Sequence, residues 1–146
     1  MVEPSNAARG RPLSPHLQIW RWGPAMTVSI LHRVSGQGLA FVGLPLLLWL
    51  LAALVGGKDS YDTLVQWLWA AGDSATALQT IANVLGKIVL VGLSWALFEH
   101  MLSGLRHFVL DIGAGYELDV NAAWSWIVMI GSIVLTIAFW AVLLFL

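Results

Sequence analysis

The chain has 146 residues, 59% of them hydrophobic and 10% charged, with a net charge of −1 and no cysteine. Soluble domains carry roughly 25% charged residues, and a chain this short cannot fold so much apolar surface into a core of its own, so its solvent is a bilayer. The near-neutral charge, with no dense basic tract, excludes a nucleic-acid binder. The missing cysteines exclude disulfides, thiolate zinc and cysteine-held iron–sulfur clusters within this chain, so any redox centre it holds must use histidine.

In chain order, the first 28 residues are polar and carry prolines, and nothing in them resembles the apolar core of a signal peptide. Residues 1–27 are therefore read as a cytoplasmic N-terminal segment, and 28–146 as a membrane anchor domain whose first hydrophobic segment stays in place as insertion signal and anchor. A helical span needs about 20 apolar residues. Val34 to Gly57 carries one without any charge, and its helix is expected to begin near Val28, giving a span of about 28–56. The stretch that follows, GGKDSYDTLVQWLWAAGDSA, contains Tyr61, Trp67 and Trp69. These rings suit a short helix lying in the membrane interface.

The second span, about 83–110, is less clean. Lys87 and Arg106 bracket Ile88 to Leu105, and Glu99 and His100 interrupt it. Long cationic side chains at span ends can snorkel to the headgroups, and Lys87 and Asp111 read as interface anchors. The third span, about 121–146, has no ionisable group after Asp119 and reads as a packing and lipid-facing element. Trp20 and Trp22 before the first span, with Trp124 and Trp126 entering the third, form the opposite aromatic belt. The expected fold is an all-α membrane protein with three transmembrane helices, one part of a hetero-oligomeric bundle. Arg9, Arg11, Arg21, Arg33 and Arg106 on one side outnumber Lys58 and Lys87 on the other. That bias puts the N-terminus in the cytoplasm and the C-terminus in the periplasm.

Ionisable groups inside a span are costly and mark function by default. His100, Ser103, Gly104 and His107 recur at i, i+3, i+4 and i+7, one helical face. Ser29, His32, Arg33 and Gly36 repeat the spacing at the start of the first span. His100 sits seven residues deeper than His107, about 10 Å. A deep histidine beside a glycine that permits close approach suits an axial haem ligand, with His32 and Arg33 placed for anionic propionates near the headgroups. The competing account makes both stripes interhelical hydrogen bonds, Ser29 a helix N-cap and Arg33 an interface anchor. Glu99, about 100° around the helix from His100, is read as protonated or as paired with another subunit.

RPLSPHLQIWR (Arg11 to Arg21), SILHRVSG (Ser29 to Gly36) and HMLSGLRHFVLD (His100 to Asp111) resemble the cytochrome b anchor subunits of succinate dehydrogenase, complex II. The likeness runs from Arg11 to Asp111, with Trp20 standing where tyrosine is common. It implies an assembly with a flavoprotein, an iron–sulfur protein and a second membrane anchor, all at a bacterial inner membrane rather than a mitochondrial one. It also implies a haem b shared with the second anchor, His100 as one axial iron ligand, and His32, Arg33 and His107 around the propionates. Ser29 and Arg33 would line the ubiquinone pocket, and succinate chemistry would lie in other subunits, leaving no catalytic residue for it here. Two other readings stay open: a stand-alone cytochrome with His32 and His100 on one iron, which a depth mismatch opposes, and a non-redox transporter or structural anchor.

Overall fold

The computed structural model describes residues 21–145; the expectations for Arg9, Arg11, Trp20, most of the RPLSPHLQIWR stretch and Leu146 lie outside them. Three long helical segments, Pro24–Val55, Ala77–Asp111 and Leu118–Phe145, are long and apolar enough to cross a membrane. The first is built from α1 (Pro24–Gly38), a π-helical turn (Leu39–Gly43) and α2 (Leu44–Val55). Pro24 supplies the fixed φ that suits a first helical position, so the helix starts there with Gly23 as its cap, ahead of Val28. The π turn has a local cause. Pro45 has no N–H and its ring crowds the carbonyl four residues back, and Leu44 reaches past the α-helical partner to donate to the Leu39 carbonyl. One wide turn absorbs the misfit without ending the helix.

The aromatic stretch after the first span forms α3 (Lys58–Leu68), an amphipathic helix with Leu64 turned inward and a Lys58–Asp62 ion pair on its solvent side. Asn83 clips it to the next helix. Its amide donates to the Gln66 carbonyl and its oxygen accepts from Ala71 N–H, each at 2.6 Å. Gly86 allows the close approach, since a Cβ there would fall 2.5 Å from the Leu68 carbonyl oxygen. Lys87 lays its ammonium over Trp69, 5.3 Å from the ring centre.

The second span, α4 (Ala77–Asp111), has 35 residues, about 52 Å at helical rise and so longer than a hydrocarbon core of about 30 Å. Its first turns stand beside α3. Thr76 and Gln79 close a capping box there, each side chain bonding the other's backbone N–H. The third span, α5 (Leu118–Phe145), packs on α4 through small residues: Ser125, Val128, Ser132 and Thr136 are buried, and a Cβ at Gly131 would meet Leu102 at 3.1 Å. Small side chains let membrane helices approach closely where no hydrophobic drive exists. Most large apolar side chains remain exposed, as a lipid-facing and partner-facing bundle requires.

Candidate functional site

The polar groups of the first and second spans meet where α1 crosses α4. His32 and His100 stack face to face, with ring centres 4.0 Å apart and planes 8° from parallel. His107 lies one end further, 5.3 Å from His32 and tilted by 57°. His32 is therefore level with His100, against the depth difference expected from the sequence. As stacked, the two rings do not aim their nitrogens at one point between them. Axial nitrogens must point at the metal along their ring planes from opposite sides, and stacked rings turn their faces to each other instead.

His100 owes its place to Gly36. A Cβ at Gly36 would lie 2.8 Å from His100 Cε1, so glycine is what lets the imidazole press against α1. Gly104, on the histidine's own stripe, has nothing within 4 Å of its Cβ position; the glycine that admits the histidine belongs to the matching stripe on the other helix. His100 Nδ1 sits 3.1 Å from the His32 carbonyl oxygen. A carbonyl can only accept, so Nδ1 carries the ring hydrogen and Nε2 keeps its lone pair. Nε2 has no hydrogen-bond partner among the described residues.

Glu99 is fully buried, 0% exposed. Ser35 of α1 donates its hydroxyl to Glu99 Oε2 at 2.9 Å and stands 3.0 Å from the His32 carbonyl oxygen. The expectation that Glu99 pairs with another subunit is corrected for one oxygen: Oε2 finds its partner on the neighbouring helix of the same chain. Oε1 has none among the described residues, and a protonated carboxyl, the other expectation, is compatible with both. The cause is rotational. The 100° step that carries Glu99 off the histidine stripe turns it into the α1–α4 seam. Arg106 is corrected in the same sense. It does not snorkel but is buried at 7% exposure and donates to Asn121 at the start of α5. Ser103 is buried as well, its hydroxyl without a partner among the described residues, so the sequence stripe splits between an outward row and an inward one.

Ser29 and Arg33 lie on an exposed strip of α1, and neither side chain has a hydrogen bond or ion pair among the described residues. Ser29 is more than a turn inside a helix capped at Gly23, so it is not an N-cap. An unpartnered arginine in an apolar segment calls for a counterpart beyond the described residues. By contrast, the apolar cleft beneath α3, bordered by Leu47, Leu64, Leu93 and Phe139, includes none of the histidines. Among the described residues no group of three or more metal-binding side chains is arranged around a common point, so the histidine cluster offers single ligands and not a complete metal cage.

The family model for succinate dehydrogenase/fumarate reductase transmembrane subunits matches residues 7–139. The chain belongs to this family. It is similar to the succinate dehydrogenase cytochrome b556 subunit of Paracoccus denitrificans, 36% identical over 127 residues that cover 87% of each chain. The cytochrome b556 subunit of Rickettsia conorii is 34% identical over 130 residues, 89% of this chain and 90% of that one. The mouse mitochondrial cytochrome b560 subunit is 35% identical over 117 residues, 77% of this chain and 60% of that longer one. Membership explains why one polar seam is built into an otherwise apolar anchor. As a member, this multi-pass chain is the cytochrome b anchor subunit of a succinate:quinone oxidoreductase.

Proposed function

We propose that this anchor subunit supplies one axial ligand of a haem b through His100 and lines a quinone pocket with Ser29 and Arg33. The observation that carries the reading is the state of His100: Nδ1 is spent on the His32 carbonyl at 3.1 Å and Nε2 is left bare. Metal-bound histidines characteristically donate their other ring nitrogen to a carbonyl or carboxylate, so the donor set fits haem iron. The names of the Paracoccus and Rickettsia relatives, cytochrome b556 subunits, support the same cofactor. His32, stacked on the ligand, is not the opposite ligand. That one comes from a second membrane anchor, which makes this chain half of a shared site.

When bound, the haem supplies a one-electron carrier near the quinone. The chain's own residues orient and hold. Ser29 offers a hydroxyl donor, and Arg33, one turn on, offers a permanent positive charge where negative charge develops on a quinone oxygen. His32, Arg33 and His107 form the polar group for the propionates. The further partners are a flavoprotein that oxidises succinate and an iron–sulfur protein docked on the side of Ser29 and Arg33. The arginine bias sets that side in the cytoplasm of a bacterial inner membrane. Ubiquinone is the acceptor proposed.

The test is the purified complex with its optical spectrum and a succinate–quinone assay. His100→Ala is expected to remove the haem, whereas His107→Ala keeps most of it, since contacts near water are replaceable by solvent. Ser29→Ala and Arg33→Leu are expected to leave assembly near normal and cut quinone reduction severalfold or more, with succinate oxidation by an artificial acceptor intact. An unaltered bis-histidine spectrum in His100→Ala would sink the haem assignment, and normal quinone turnover in both pocket variants would sink the quinone one.

A further inference from the structure

Glu99 and Ser35 are the groups that the reading above leaves unused. Both are buried in the α1–α4 seam, at 0% and 2% exposure. Their hydrogen bonds lead to His100. The Ser35 hydroxyl donates to Glu99 Oε2 at 2.9 Å, and its oxygen lies 3.4 Å from His100 Nδ1, beside the His32 carbonyl at 3.1 Å from the same nitrogen. The Ser35 hydroxyl also stands 3.0 Å from the His32 carbonyl, and Glu99 Oε1 has no partner among the described residues; one arrangement of the hydrogens links all three side chains. His100 Nδ1–H is shared between the His32 carbonyl and the Ser35 oxygen, and the one Ser35 hydrogen goes to the Glu99 carboxyl.

We propose that Ser35 and Glu99 are positioning residues for His100, fixing the rotation and tautomer of its imidazole and drawing on its Nδ1 hydrogen through the chain Glu99–Ser35–His100. The proposal rests on His100 as the iron ligand. Its physical content is directional. An acceptor chain behind a ligating imidazole makes the ligand more basic, which favours the oxidised iron and holds the haem potential down. Cutting the chain should raise that potential. The short reach of Ser35 matters, because Glu99 projects from the residue next to His100 and cannot bend back to the same ring. A hydroxyl from the facing helix closes the gap. The rotation of the imidazole is thereby tied to the fit of α1 on α4.

The assembled complex in membranes is the material for the test, and the readouts are the haem midpoint potential and the low-spin electron paramagnetic resonance spectrum. Ser35→Ala and Glu99→Leu should retain haem, shift the potential upward and move the resonance positions. Ser35→Thr, which keeps a hydroxyl, should return both towards the parent values. Parent potential and spectrum in both Ser35→Ala and Glu99→Leu would overturn the proposal. If Ser35→Ala loses haem outright, Ser35→Thr decides: haem with the parent signature supports the hydroxyl's role, and loss in both means that seam packing alone is at stake and overturns it. His100→Ala, run beside them, fails separately: a surviving bis-histidine spectrum there would remove the ligand and not merely its support.

Discussion

The two seams of α4 both bury polar side chains and use them differently. Against α5, the hydroxyls of Ser125, Ser132 and Thr136 bond carbonyls of their own helix, at 2.7, 2.9 and 2.7 Å. Against α1, Ser35 lies 3.0 Å from a carbonyl of its own helix but also bonds across to Glu99. His100 Nδ1 reaches the His32 backbone carbonyl, and ring nitrogens of both histidines are left without partners among the described residues. A hydroxyl folded back on its own backbone hides its polarity and behaves as a small side chain. A group bonded to the facing helix fixes where that helix sits. Burial alone therefore does not separate glue from machinery; the direction of the hydrogen bonds does.

Two glycines give the sharpest way to break this contrast, with the largest expected effect at Gly36. A methyl there would lie 2.8 Å from His100 Cε1 and 3.1 Å from Nδ1, and the ring is tethered by its own hydrogen bond. Gly36→Ala should lower haem content severalfold in the assembled complex, read from the optical spectrum per complex. Gly131→Ala meets only the end of Leu102, at 3.1 Å, and a leucine methyl can swing aside. It should cost less than about 1 kcal/mol, at the mild end of overpacking, with the haem spectrum unchanged. Equal haem loss in the two would mean that the α1 seam has no special claim on the cofactor.

Arg106 is the intermediate case, because it does cross a seam, to Asn121. Arg106→Leu should leave the asparagine amide without its partner, at a cost of about 1–3 kcal/mol. The expected outcome is a lower yield and lower thermal midpoint of the complex, with normal haem spectrum and quinone turnover in what assembles. A shifted haem spectrum would place Arg106 with the site instead.

Much of this could be read in advance. The three spans, the short helix after the first and the meeting of His32, His100 and His107 across two helices follow from apolar length, aromatic placement and charge at depth. The partners of Glu99 and Arg106 do not, because residue spacing fixes angles around one helix and says nothing about which neighbour stands at each angle. Spacing put Ser29, His32, Arg33 and Gly36 on one face; the crossing of α1 over α4 divides that face, burying His32 and Gly36 partly and leaving Ser29 and Arg33 outside. Two local signals were present in the sequence and went unread. Thr76 and Gln79 spell a capping box that starts α4 at Ala77, and Pro45 announces the wide turn before α2. Such a turn carries an extra residue and rotates everything after it by about 100°, so no single periodic pattern could hold through the whole first span.

The smallest expected effect comes from a matched pair of serines. Ser35 is 2% exposed and Ser132 is 0% exposed, so Ser→Ala removes the same oxygen from an equally buried position in each. The Ser132 hydroxyl bonds the Met129 carbonyl three residues back, 2.9 Å away. It spans no seam, and deleting it strands no partner on another helix. Ser132→Ala should therefore change stability by about 1 kcal/mol or less, a shift barely visible in the thermal midpoint, and leave haem potential, resonance positions and quinone turnover at parent values. Ser35→Ala should move the haem readouts while changing the thermal midpoint little more. The pair separates two accounts of a buried serine in a membrane helix. If packing were the common role, both variants would shift stability alone and by similar amounts. If direction is what counts, only the serine whose hydrogen bond leaves its own helix will be seen at the haem.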